Sequence, residues 1–156
     1  MKQILDVCCG SRMFYYDKQN ENTIYGDCRE HESILSDGRK LVVKPEIIFD
    51  FKNLPFEDEV FNLVIFDPPH LSQGGEKSWL VQKYGKLNKD TWQEDIKQGF
   101  EECFRVLKQN GTLVFKWNEE QILFSEVIKL APQMPLLGDK RGRTRWTVFY
   151  KSLGGE

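Results

Sequence analysis

The sequence predicts an α/β fold, a doubly wound and mostly parallel sheet closed by an antiparallel C-terminal hairpin strand. Three observations predict it. Short apolar runs of strand type alternate with helical patterns, which argues for a parallel sheet. The last two strand patterns, "PLL" (135–137) and "RWTVFYK" (145–151), are joined by the short "GDKRGRT" and not by a helix, as in a β-hairpin. The chain has 156 residues, 40% hydrophobic and 13% aromatic, enough for one globular core and too few for two comfortable ones. A single Rossmann-like domain over residues 1–156 is therefore expected.

Each element has a local reason. "QILDV" (3–7) is a short buried strand stopped by Cys8-Cys9-Gly10, and "SRMFYYDKQN" (11–20) has the composition of a brief helix. "TIYGD" (23–27) is a second strand, and residues 28–45 are polar and mixed, with no clear pattern. "EIIFDF" (46–51) is a third strand, and "FNLVIF" (61–66) is the fourth and most hydrophobic. The stretch 71–89 is rich in Gly, Ser, Lys and Asn, and so long an irregular segment in a compact domain is usually functional. From Asp90 onward Ile96, Phe100, Phe104 and Leu107 recur at helical spacing, and Asn110-Gly111 closes that helix. "TLVFKW" (112–117) is a fifth strand, and 119–130 form an amphipathic helix ended before Pro132.

Composition excludes several classes. No apolar run approaches the roughly 18 residues that cross a membrane. "KQILDV" follows Met1 with no apolar signal region and no small-residue cleavage site, so a cytoplasmic protein is expected. Cys8, Cys9, Cys28 and Cys103 form no CxxC pair, and adjacent cysteines do not easily serve one tetrahedral metal site. They are read as small buried residues, with no metal. The net charge of −2 is segregated: residues 71–90 carry +2 and residues 138–145, with Lys140, Arg141, Arg143 and Arg145, carry +3. Such a pattern steers anionic partners even on a slightly acidic chain.

Acids recur at strand ends. Asp6 closes the first strand, Asp27 the second, Asp50 the third, and Asp67 follows the fourth. In an open α/β sheet, ligands bind outside the carboxyl ends of the strands, so the four acids fall where a ligand would lie. The small-residue turn Cys8-Cys9-Gly10 admits a ligand close to the backbone. Asp27 is suited to accept both hydroxyls of a ribose, and Asp50 with Phe51 offers an acceptor for an adenine amine beside an aromatic surface. Taken singly, each acid is equally a cap or turn residue. Together they point to a nucleoside site.

The pattern resembles the class I S-adenosylmethionine-dependent methyltransferases over nearly the whole chain. "ILDVCCGS" looks like their first motif, "IYGD" is similar to the second, and "IIFDFKNLPFEDEVFNLVIFDPP" is similar to the third and fourth. Cys8 and Cys9 stand where that family usually has glycines. The resemblance implies S-adenosyl-L-methionine as cofactor, held by Asp6, Cys8, Cys9, Gly10, Asp27, Asp50 and Phe51.

Asp67-Pro68-Pro69-His70 resembles the (D/N/S)PP(aromatic) motif of amino methyltransferases acting on adenine, cytosine or glutamine. Two prolines fix φ near −65° and remove both N–H groups, leaving a stiff backbone with outward carbonyls. The Asp67 carboxylate and the Pro68 carbonyl then accept the two hydrogens of an exocyclic amine and aim its lone pair at the methyl donor, so catalysis is mainly positioning. His70 takes the aromatic place, where a flat ring stacks on a flipped base, and an imidazole there can titrate near neutrality. Asp at position 67 leans toward adenine.

The basic segments suit a nucleic-acid substrate. The 71–90 loop leaves the catalytic edge directly, with Trp79 and Tyr84 available for stacking. Lys140, Arg141 and Arg143 flank the pocket if the hairpin turn leaves from the same edge. N6-methylation of adenine in DNA or RNA is the expected activity. A protein (glutamine) or small-molecule methyltransferase on the same fold, and a non-catalytic nucleoside-binding module, are the alternatives.

Overall fold

The computed structural model describes residues 1–75, 81 and 85–152. Among them the elements run β1 (Ile4–Asp6), β2 (Thr23–Asp27), β3 (His31–Ile34), β4 (Lys40–Val43), β5 (Ile47–Ile48) and β6 (Phe61–Phe66). Then follow α1 (Trp92–Val106), β7 (Leu107–Asn118), α2 (Phe124–Ile128), β8 (Leu137–Arg141) and β9 (Thr144–Tyr150). Seven strands form one sheet in the order β5-β2-β1-β6-β7-β9-β8. The first five of that order are mutually parallel, and β9 runs antiparallel between β7 and β8. The chain steps outward from β1 to β5 and then returns to β6 on the other side of β1. That reversal is a topological switch point, where open α/β sheets place their ligands.

The core is aromatic. Phe66 meets Phe100 of α1 edge-on at 5.3 Å between ring centroids, Phe100 lies 4.7 Å from Phe115, and Phe104 meets Phe149 at 5.6 Å. β7 shows the two-residue alternation of a strand: Leu113, Phe115 and Trp117 are fully buried beside α1, while Thr112, Val114 and Lys116 point to the other face. α1 is drawn close to β6 at Gly99, where an added Cβ would sit 2.6 Å from Phe66 Cζ and 2.9 Å from Phe51 Cδ1.

Several elements depart from the sequence expectation. Residues 11–20 form successive turns and no helix. Gly10 and Arg12 both have positive φ, and Asp17 and Asn20 accept the N–H groups of Gln19 and Asn22, so local side-chain bonds displace the helical ladder. Residues 28–45 contain a hairpin, β3–β4, turned at Ser36-Asp37-Gly38. The third strand shrinks to Ile47–Ile48, because Asp50 accepts the N–H of Lys52 and its carbonyl that of Asn53 in a turn. α1 ends at Val106, and Asn110-Gly111 instead lie in a bulge inside β7, where the pairing jumps from Phe61↔Leu107 to Leu63↔Thr112. The helix expected over 119–130 is only Phe124–Ile128, since Asn118 caps a turn on Glu120 and Trp117 Nε1 donates to the Ile122 carbonyl. The "GDKRGRT" loop is mostly strand: Lys140 and Arg141 belong to β8, and the turn is Gly142-Arg143. Cys9 and Cys103 are buried as expected, but Cys28 is exposed.

Candidate active site

A cavity of about 540 Å³ opens at the carboxyl edge of the sheet, over the switch point. It is within the size range of small-molecule sites. Cys8, Cys9 and Gly10 after β1 form its floor, Asp27 at the end of β2 one wall, and Asp50 and Phe51 its rim. Asp67, Pro68, Pro69 and His70 after β6 line the opposite wall. The four-residue motif and the three-residue turn thus face one space, although 57 positions separate Gly10 from Asp67 in the chain.

The floor is fixed by backbone bonds. Cys9 N–H donates to the Gly26 carbonyl at 2.8 Å, and Gly10 N–H donates to Asp27 Oδ2 at 2.8 Å. Gly10 sits at φ +51°, a left-handed conformation that glycine adopts without a Cβ clash, and no heavy atom lies within 4 Å of where a Cβ would be. Asp27 also accepts the Cys28 N–H at 2.7 Å, so its carboxylate is held by two backbone donors. Burial pushes the Cys8 thiol up and the Cys9 thiol up to about 12, reinforced by Asp27 and Asp6. Both stay neutral, small lining groups.

Asp6 is the exception among the expected cofactor residues. It is fully buried beneath the floor and does not line the cavity. Its Oδ2 accepts the Tyr15 hydroxyl at 2.7 Å and its Oδ1 the Cys8 N–H at 3.2 Å. Burial pushes its carboxyl up to about 7, against those two hydrogen bonds and with help from neighbouring Asp67 and Asp27. Asp6 therefore braces the loop from below.

Asp67 keeps 22% of its side-chain surface open toward the cavity. Burial raises its carboxyl to about 6, with Lys116 pulling the other way from 3.9 Å and Asp27 adding to the rise. His70 is 8% exposed and edge-on to Trp117, with ring centroids 6.3 Å apart. Burial, then Lys116, lowers it to about 4. Burial thus favours the neutral imidazole over the titrating ring that the sequence allows.

The other expected contacts divide. Trp79 and Tyr84 lie outside the described residues. The described limbs of that segment start at Leu71 and return over Pro69, where Gly85 has a would-be Cβ 3.3 Å from Pro69 Cγ. Because β8 runs parallel to β7, the Gly142-Arg143 turn does leave from the carboxyl edge. Lys140, Arg141 and Arg143 nonetheless stand outside the cavity, and Lys140 and Arg143 pair with Glu119 at 3.9 Å and Glu120 at 3.6 Å.

The sequence reading missed Lys116, Tyr15 and Lys52. Lys116 ends the fifth strand on the same edge as the acids, so the strand-end rule would have found it had it been applied to cations. Lys52 lines the rim and pairs with Asp50 and Asp95, each at 3.6 Å. Nothing in the sequence marked Tyr15, because its role depends on a turn region read as helix.

No protein-family model matches the chain, and no curated protein does. Solved structures do. A Pyrococcus horikoshii protein is 17% identical, with a TM-score of 0.60 over 96% of this chain and 81% of that one. A candidate sarcosine dimethylglycine methyltransferase from Galdieria sulphuraria is 12% identical, with a TM-score of 0.52 over 97% of this chain and 78% of that one. A candidate methyltransferase of Haloferax volcanii, solved in complex with a methyltransferase activator, is 12% identical, with a TM-score of 0.51 over 97% of this chain and 83% of that one. At these identities the likeness establishes the fold, the Rossmann-like α/β arrangement described above.

Proposed function

We propose that the chain is an S-adenosylmethionine-dependent methyltransferase acting on the exocyclic N6 amine of adenine in DNA or RNA. The observation that carries this reading is the placement of Asp67-Pro68 across one cavity from Asp27 and the Cys8–Gly10 turn. A nucleoside-recognising wall and an amine-accepting wall thereby face each other. Fold neighbours that bear methyltransferase names support it.

The residues present fit the cofactor. Gly10 leaves the floor open for close approach, and Asp27 lies where a ribose diol is held in dinucleotide folds. Asp27 and Asp67 face a space that suits a sulfonium and an ammonium. When bound, S-adenosylmethionine supplies an electrophilic methyl group. The protein's part is to position the amine. Asp67 accepts one N–H and the Pro68 carbonyl the other, which directs the nitrogen lone pair along the line of transfer. In the transfer the cofactor would supply, its sulfur–methyl bond would break as the nitrogen–methyl bond forms and S-adenosylhomocysteine would leave; the Asp67 carboxylate would stabilise the positive charge developing on nitrogen and take the surplus N–H proton, passing it to water. His70, lining the same wall, takes the base-contacting place of the motif as a ring that burial keeps toward its neutral form. Arg141 and Arg143, carried to the same edge by β8 and β9, contact substrate phosphates.

Transfer of labelled methyl groups to DNA, RNA and peptide pools tests the reading. Label in N6-methyladenine is expected. Label in peptide or small molecules alone would replace the substrate assignment, and absence of cofactor binding by calorimetry would leave a non-catalytic module.

A further inference from the structure

We propose that Lys116 is a positioning residue for the amine-accepting carboxylate, holding Asp67 in its ionised, accepting form inside the cavity. The proposal deepens the reading above and rests on it, because Asp67 is taken as the amine acceptor.

Lys116 lies two residues before the end of β7, on the face opposite Phe115 and Trp117, and its Nζ lies 3.9 Å from Asp67 Oδ2. The ammonium is seated between two rings, 5.2 Å from the Phe14 centroid and 5.4 Å from the Trp146 centroid. Aromatic faces attract a cation and restrict it. At 3.9 Å the pair is electrostatic and longer than a hydrogen bond, so it charges the carboxylate without taking the lone pairs an amine needs. A direct contact would compete with substrate, and a distant one would be screened.

The charged groups that face Asp67 among the described residues are Lys116 from β7, Asp27 at the end of β2 and Asp6 at the end of β1. Burial and Asp27 favour a protonated Asp67, Asp6 is itself pushed toward the neutral acid, and Lys116 is the cation set against them. A protonated Asp67 would present O–H to the amine and reverse the hydrogen bond that orients it. Lys116 therefore shifts the motif toward its accepting form at neutral pH. The same ammonium also helps keep His70 neutral.

The test follows the Asp67 carboxyl carbon by NMR against pH in protein labelled at aspartate, with the resonance assigned by Asp67→Asn. The wild-type midpoint is expected near 6. Lys116→Met should raise it by about one unit, a tenfold change in acidity, whereas Lys116→Arg should leave it in place. The acidic limb of the methyl-transfer pH profile should move with it. Should Lys116→Met not fold, Lys116→Gln removes the same charge. An unmoved midpoint in the neutral variant overturns the proposal, as does an equal shift in Lys116→Arg. Failure of wild-type protein to bind S-adenosylmethionine by calorimetry would overturn the methyltransferase reading, and with it the assignment of Lys116 to an amine acceptor. A moved midpoint with an unmoved pH profile would overturn the positioning role alone.

Discussion

Replacing Asp6 by Asn tests the electrostatics beneath the site. Asn keeps an acceptor for the Cys8 N–H and can donate its amide N–H to the Tyr15 hydroxyl oxygen, but it cannot ionise. In the folded protein burial raises the Asp6 carboxyl from 3.8 to about 7. The folded state therefore binds more protons than the unfolded one between those values, and stability contributed at this site falls as pH rises through that window. Three units correspond to about 4 kcal/mol, reached above pH 7 and almost absent below pH 4. Other groups titrate in the same range: Asp67, raised to about 6, adds to the fall, while His70, lowered to about 4, opposes it. The difference between wild type and Asp6→Asn reports Asp6 together with its coupling to Asp67 and Asp27. Urea unfolding at pH 4.5 and 7.5 should show the variant gaining about 3 kcal/mol on wild type between the two pH values. A difference that does not change with pH would refute the argument, because it would mean that Asp6 stays ionised in the fold.

Three further outcomes are expected. Asp27→Ala removes the partner of the Gly10 N–H as well as the acid on the nucleoside wall; losing one charge-assisted bond costs about 1.5–3 kcal/mol, so cofactor affinity should fall about 10- to 100-fold by calorimetry. Affinity within twofold of wild type would remove Asp27 from the binding wall. Gly99→Ala places a Cβ against Phe66 and Phe51, costing about 1–3 kcal/mol of overpacking less about 1 kcal/mol of helix propensity. The melting temperature should drop by several degrees, and a rise would show that α1 has room to move. Reversing Arg141 and Arg143 to Glu should weaken DNA or RNA binding and reduce the salt slope by about 2; a slope equal to wild type would take the hairpin out of the interface.

The parallel strands were legible because their signals are local and strong. β6 is apolar but for Asn62, β7 alternates, and the acids close β1 and β2 and follow β6. The hairpin β3–β4 was also written in the sequence, as Asp37-Gly38 between Ile34 and Leu41, but its flanking strands carry too many polar residues for alternation to show. The turns at 11–20 were not legible, since they depend on Tyr15 reaching Asp6 and on Arg12 reaching the carbonyls of Lys18 and Lys44. For the same reason Asp6 was read as a wall residue: its place at a strand end was visible, and the ring that seals it from below was not. Residues 67–70 line the cavity from the strand end where the sequence placed them, while the environment of His70 needed the burial that only the packed fold supplies.

The central claim is that Asp67 positions an amine for transfer and does not hold the cofactor. The most direct measurement pairs labelled methyl transfer to adenine-containing strands with calorimetric titration of S-adenosylmethionine, in wild type and Asp67→Ala. The account predicts that transfer falls at least about 100-fold in the variant, as expected for a mispositioned reacting group, with cofactor affinity within a few-fold of wild type. Loss of cofactor affinity equal to the loss of rate would contradict it.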